Sequence, residues 1–199
     1  MKRILALPGS LRRGSYNRSL LQAAKAEQRA DMTIEIFDRL AAVPLFNQDD
    51  EGAFEQLPAG VRDLVAAVRQ ADGVLIATPE YNQSIPGVLK NAIDWLSRES
   101  VGEPLIGKPV AIMGATAGQW GTRLSQAALR QTLTSTEALV MPVPMLFVRD
   151  GDKTFDASGR LVDERVQRGL QRMLDAFAQW IDLLRAGREA LRGGAAAQS

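Results

Sequence analysis

Three short stretches of this 199-residue chain gather the side chains best suited to chemistry. The first, Arg3 to Ala24, reads RILALPGSLRRGSYNRSLLQAA: a short apolar run, a loop of Gly, Ser and Arg, then a helical pattern. A strand that feeds such a loop into a helix builds an anion site. The helix's first N–H groups lack intrahelical partners, and its dipole is positive at that end. Ser10, Ser15 and Asn17 add donors, Arg12 and Arg13 add charge, and Gly9 and Gly14 let the backbone come close. The predicted guest is a phosphate. A tight strand-to-helix turn with Ser15 or Asn17 as N-cap is the plainer alternative, but capping accounts for one side chain and not for the whole set.

The second stretch, PEYNQSIPG from Pro79 to Gly87, follows a buried-looking apolar run and puts Tyr81 among amide and hydroxyl groups. Tyr81 can cover a flat ring while the backbone of such a loop bonds to ring carbonyls and nitrogens. Read singly, the same residues also describe a long surface turn capped by Asn82 and Ser84. The third stretch, GATAGQWG from Gly114 to Gly121, admits two readings as well: a small-residue wall for a flat ring, or a helix-start turn. Trp120 suits a ligand cover or a subunit contact.

The chain has no Cys and no His. That removes disulfides, thiolate nucleophiles, cysteine redox chemistry and the Ser-His-Asp triad, and leaves zinc catalysis without its usual ligands. If the protein is an enzyme, a cofactor carries the hard chemistry. With 24 basic against 23 acidic residues, nothing pulls the whole chain toward nucleic acid or an anionic membrane, so any basic function is local. The apolar run after Lys2 and Arg3 is too short for a secretion signal, and a cytoplasmic protein is expected. Near misses narrow the phosphate loop further. Gly9 and Gly14 have Walker A spacing, but Ser15-Tyr16 stands where Lys-Ser/Thr is needed; the three-glycine dinucleotide pattern fails at Leu11 and Arg12. A phosphoacceptor fold would want acidic residues after the first strand and an Asp near Thr78-Pro79. The acidic run Asp49 to Glu51 reads as a solvated loop rather than a metal site.

Positioning these loops falls to apolar runs that alternate with helical patterns, the mark of parallel βαβ units. Strands are expected at about 3–7, 33–37, 73–78 and 109–114, with a fifth over 138–148, bent or at an edge because of Pro142 and Pro144. Helices are expected at about 16–29, from Pro58 onward, at 86–97, to about Leu133, and at 163–188. In the third helix Leu89, Ala92, Ile93 and Leu96 face the sheet, while Val88 and Trp95 share another side that suits either a dimer contact or plain packing. A long loop over 40–56 and a turn-rich insertion over 150–160 complete a single domain, residues 1–190, with a disordered tail at 191–199. The fold class is α/β: a three-layer doubly wound sandwich with a five-stranded parallel sheet in flavodoxin-like order 2-1-3-4-5. Such a fold binds its ligand at the carboxyl edge.

GSLRRGSYN at Gly9 to Asn17, followed by PEYNQSIPGVLKNAIDWLSR at Pro79 to Arg98, resembles the NADPH-dependent FMN reductase family, in particular its chromate- and quinone-reducing branch. The likeness extends in pattern over about Lys2 to Val148. It implies FMN held tightly and noncovalently, its phosphate by Ser10, Arg12, Ser15 and Asn17 with Tyr16 nearby. Pro79, Glu80, Tyr81 and Asn82 would line the isoalloxazine, with Ser84 close by. The third loop, which often begins Ser-Ala-Gly in the family, reads Ala115-Thr116-Ala117-Gly118 here, so Ala115, Thr116 and Gly118 would meet the ring through altered hydrogen bonds. No residue is implied as catalytic in the strict sense, and no metal.

The activity implied is ping-pong transfer of hydride from NADPH or NADH through FMN to quinones, flavins, azo compounds or oxidised metal ions such as chromate. The implied partners are a small-molecule acceptor and further copies of the chain, as a homodimer or homotetramer. The competing readings are an electron-transfer flavoprotein without NAD(P)H activity, against which the near-neutral charge argues, and a sensor of phosphorylated ligands that uses the same loop without redox chemistry.

Overall fold

The apolar run Gly73–Ala77 is buried at every position, as a central parallel strand covered on both faces must be. It forms β3. On one side of it lies β1 (Lys2–Pro8) and beyond that β2 (Met32–Ile36); on the other lies β4 (Pro109–Ala115). All these pairings are parallel, and the order across these four is β2-β1-β3-β4. The computed structural model describes residues 1–196.

The expected fifth strand is two pieces. β5 (Leu139–Val140) pairs with the start of β4, and β6 (Leu146–Val148) pairs with its end, from Met113↔Leu146 to Ala115↔Val148. Pro142 and Pro144 lie between them and have no N–H to donate, so the ladder breaks there and resumes. β6 thereby reaches the sheet's carboxyl edge.

Alternate residues of each strand point to opposite layers. Leu5 and Leu7, Val74 and Ile76, Val110 and Ile112 pack under α2 (Ala59–Gln70), α3 (Gly87–Leu96) and α4 (Arg123–Ser135). Ile4 and Ala6, Leu75 and Ala77, Ala111 and Met113 pack under α1 (Tyr16–Ala26) and the long final helix. A short helix, α5 (Gly151–Thr154), stands where a turn-rich insertion is expected, and α6 (Glu164–Ala196) follows it. α6 runs past the expected end at Arg188, so the first part of the expected tail is helical and residues 197–199 lie outside the described residues. No helix among the described residues is long and apolar enough to cross a membrane.

For Trp95 the packing reading holds and the dimer-contact reading does not. It is 0% exposed. The loop over 40–56 folds back onto α3: Trp95 Nε1 donates to Pro44 O at 2.9 Å, Phe46 packs edge-on against the indole, and Asn91 both donates to Pro44 O and accepts from Phe46 N. Glu51 of the acidic run accepts from Arg98 and Ser100 in the same layer.

Candidate functional site

Loop one, residues 9–15, leaves β1 at the carboxyl edge and is pressed against the end of β3. Gly9 N donates to Ala77 O at 2.8 Å. A Cβ on Gly9 would stand 3.1 Å from both Ala77 O and Pro79 Cδ. Ser10 is buried; its hydroxyl accepts from Arg12 N at 3.3 Å and lies 3.5 Å from Tyr81 Oη, so loops one and two meet here. Ser15 is the N-cap of α1, accepting from Arg18 N, and its hydroxyl proton is left to donate elsewhere. The amide N–H groups of Arg13 through Asn17 find no protein acceptor among the described residues. A run of unpartnered amides at a helix N-terminus is an anion cradle.

Arg12 is aimed by Tyr16. Its guanidinium lies 5.3 Å above the Tyr16 ring, which is stacked on Phe155 at 5.8 Å and 13°. Gly151 lies under the same ring, where a Cβ would come within 2.6 Å of it. Tyr16 is thus a buttress held by the segment after β6. Neither Gly151 nor Phe155 stands out in the sequence as part of a site, because the insertion carries no periodic pattern to suggest where it packs.

Asn17, predicted to hold the phosphate, reaches across to loop three. It is 2% exposed, donates through Nδ2 to Ala115 O at 2.8 Å and accepts from Ala115 N at 2.9 Å. One amide proton is left for a ligand.

Loop two is built around a reciprocal pair, Tyr81 N to Ser84 O at 3.1 Å and Ser84 N to Tyr81 O at 3.0 Å. Asn82 and Gln83 between them have φ of 50° and 63°, the positive values that a type I′ turn requires. The turn leaves Tyr81 half exposed at the rim. Glu80, predicted to line a ring, sends its side chain the other way: Oε2 accepts from Leu124 N at 2.8 Å and Ser125 N at 3.0 Å, capping the positive end of α4. Its backbone and Oε1 remain for a ring. Behind it, Thr78 and Ser125 share a buried hydrogen bond of 2.9 Å, and Ser125 also donates to Pro79 O.

Loop three, 115–121, hangs from both neighbours. Thr116 N donates to Val148 O, Gly151 N donates to Thr116 O, and Gly118 N donates to Thr116 Oγ1. Gly114 sits where any side chain would collide, 2.0 Å from Thr122 Oγ1 and 2.4 Å from Thr78 O. Thr122, Ser125 and Gln126, all buried, continue the spacing of Leu129 and Leu133 along α4. Polar residues on that apolar stripe were the signal for this network. Ser10, Arg12, Ser15, Pro79, Tyr81, Asn82, Ser84, Ala115, Thr116 and Gly118 therefore lie on three adjoining loops at one sheet edge, while the side chains of Tyr16, Asn17 and Glu80 hold those loops in place.

An amide cradle beside an aromatic rim at the carboxyl edge of a flavodoxin-like sheet narrows the search to flavoproteins, and comparison with known proteins agrees. Residues 2–152 match the family described as NADPH-dependent FMN reductase. The chain belongs to that family. An NAD(P)H-dependent FMN reductase of Pseudomonas aeruginosa is 42% identical over 183 residues, covering 92% of this chain and 97% of the relative. A quinone reductase of Escherichia coli K12 is 39% identical over 179 residues, covering 89% and 94%. Among solved structures, the flavoenzyme NAD(P)H:(acceptor) oxidoreductase of Paracoccus denitrificans superposes with a TM-score of 0.82 at 31% identity, covering 92% of this chain and 98% of the other. As a member of the family this protein is an oxidoreductase that uses FMN and NAD(P)H.

Proposed function

We propose that this FMN reductase-family member passes hydride from NAD(P)H through tightly held FMN to quinones, free flavins, azo compounds or oxidised metal ions such as chromate, donor and acceptor using one open face in turn. The observation that carries the reading is the run of unpartnered amides from Arg13 to Asn17 at the head of α1. It suits a dianionic phosphate, and Arg12 and the hydroxyls of Ser10 and Ser15 stand beside it. When bound, FMN would supply the redox chemistry, taking up a hydride equivalent and passing electrons on, which no side chain of this chain provides.

The chain's own part is to bind and orient. Loop one grips the phosphate, with the spare amide proton of Asn17 as a further donor. Pro79, Tyr81, Asn82, Ser84 and the backbone of Glu80 line one border of the ring, and Ala115, Thr116 and Gly118 line another. Tyr81, 51% exposed, leaves the mouth open to flat molecules of many kinds. The half-buried Val88 and the exposed Leu45, on the loop bonded to α3, offer the apolar surface for a homodimer or homotetramer contact in place of Trp95.

Flavin content of the purified protein, followed by anaerobic stopped-flow with NADPH or NADH and then a panel of acceptors, tests this reading. The expected result is one bound FMN, reduced by the nicotinamide and reoxidised by a quinone. Protein that neither carries nor takes up FMN overturns it. NADPH-silent holoprotein would restore the electron-carrier reading. Arg12→Ala should weaken FMN binding by about tenfold or more through loss of a charge-assisted contact.

A further inference from the structure

Beyond loop three the chain opens a groove of about 940 Å³ between the end of β6, α5 and the first turns of α6. That is the size of a cofactor or small-ligand site. Its charge is lopsided in a chain that is otherwise balanced: six cationic side chains line it against the carboxylates of Asp150 and Asp163. Arg165, Arg168 and Arg172 recur at i, i+3 and i+7, one stripe of α6. Arg149 and Lys153 come from the segment that holds loop three, and Arg123 lies 4.5 Å over the ring of Phe147.

The two acids do little to cancel this charge. Asp163 is occupied as a helix cap, its Oδ1 accepting from Arg165 N at 2.8 Å and Val166 N at 3.0 Å. Asp150 approaches Arg149 only to 3.9 Å, and the pair that Arg168 makes with Glu164 is exposed on both sides. Trp120 of loop three, 82% exposed, forms one wall of the groove two residues after Gly118. A molecule with its reacting end at Tyr81 and loop three, a flat base for Trp120 and one further phosphate carried on that base's own ribose has the form of NADPH.

We infer that this groove holds the adenosine end of the hydride donor, with the 2′-phosphate of NADPH against Arg165, Arg168 and Arg172 and the adenine at Trp120. The inference rests on the reading of the protein as an NAD(P)H oxidoreductase, and adds a preference for NADPH over NADH. NADH lacks only the 2′-phosphate, a group of about −1.5 to −2 charge at neutral pH, and paired guanidinium forks are the side chains best fitted to it. An uncharged quinone has no use for such a groove. A second basic cleft, outside α1, is the weaker candidate: its Arg18 is paired with Asp38 at 2.7 Å, and Glu27 stands on its wall.

The test is calorimetric titration of the holoprotein with adenosine 2′,5′-bisphosphate and with 5′-AMP, for the wild type and for Arg165→Ala/Arg172→Ala. Both arginines are exposed, so the fold should survive the change, and flavin content and melting temperature check that it does. The wild type should bind the bisphosphate more tightly than 5′-AMP. The double variant should lose about tenfold or more of that affinity. In turnover the KM for NADPH should rise, with kcat and the KM for NADH unchanged, and Arg165→Glu/Arg172→Glu should deepen the loss. Equal affinity for the two nucleotides in the wild type, or an unchanged affinity in the variant, overturns the inference. So does a variant that elutes as a smaller species, which would show the groove to be covered by another copy of the chain. Because the bisphosphate reads the groove directly, its failure is distinguishable from a failure to hold FMN.

Discussion

Asn17→Ala separates a residue that touches the phosphate from one that builds the site. In the structure the carboxamide of Asn17 satisfies both the N–H and the C=O of Ala115, at 2.9 and 2.8 Å, and both residues are 2% exposed. Truncation leaves a buried donor and a buried acceptor without partners, at about 1–3 kcal/mol each, or roughly 4 kcal/mol together. For a chain of this length each kcal/mol is worth about 2–4 °C, so the melting temperature should fall by roughly 10 °C. Thermal unfolding followed by circular dichroism on flavin-free protein reads this without any ligand. Asn17→Asp should fall nearly as far, because a carboxylate can accept from Ala115 N but cannot donate to Ala115 O. FMN affinity should drop in both variants, as loop three loses its tie to α1. A loss of FMN affinity with the melting temperature kept within about 2 °C of wild type would refute the reasoning and return Asn17 to the phosphate alone.

Gly114→Ala places a methyl 2.0 Å from Thr122 Oγ1 and 2.4 Å from the backbone of Thr78, so β4 must shift against β3. A loss of about 3 kcal/mol or more is expected in urea unfolding, with poor flavin retention in whatever folds. Glu80→Gln keeps an acceptor for the α4 amides but removes the charge that complements the helix end, which should cost about 1 kcal/mol, seen as a shift of about 2–4 °C in melting. Asp31 is held down to a pKa of about 2, first by the hydrogen bond from Lys2 and then by that from Arg29. Because its folded value lies below the ordinary 3.8, its contribution is present above that pH and is lost as pH falls toward about 2. The stability difference between wild type and Asp31→Asn, measured by acid titration, should therefore narrow between those limits and stay constant above them.

Much of the site's placement was legible because it is local. A five-residue buried strand shows as a continuous apolar run, and the helix that follows loop one declares its start with Ser15 and its face with Leu20, Leu21 and Ala24. Pro142 and Pro144 foretold a disturbed last strand, though not that its second half would rejoin β4 and carry Gly151 under Tyr16. What was hidden is nonlocal. Trp95 looks outward on a helical projection because the projection contains only α3; the loop that buries it comes from 44–46. Asn17 and Glu80 looked like ligand contacts because a polar residue in a binding loop carries no mark of a partner elsewhere in the chain. Asn17 meets Ala115, and Glu80 meets α4. The six cations of the groove were equally unreadable, since they come from three separate segments and vanish into a balanced total.

These ties bear on how the protein works. A chain without His or Cys lacks the commonest general base and the thiolate nucleophile, and hydride transfer through a flavin needs neither, so what it contributes is position. Position is only as good as the stiffness of the loops, and each loop here is fixed by another before any ligand arrives. Asn17 fixes loop one to loop three, Glu80 and the Thr78–Ser125 pair fix loop two to α4, and Tyr16 holds Arg12 over a stack based on Phe155. A cradle ordered in advance loses little conformational freedom on binding, and more of its contact energy then appears as affinity. FMN affinity is therefore expected to rest on the same contacts that stabilise the empty fold. Variants at Asn17, Gly114 and Glu80 should lose stability and flavin affinity together, whereas Arg12→Ala, which leaves every cross-loop hydrogen bond in place, should lose affinity alone.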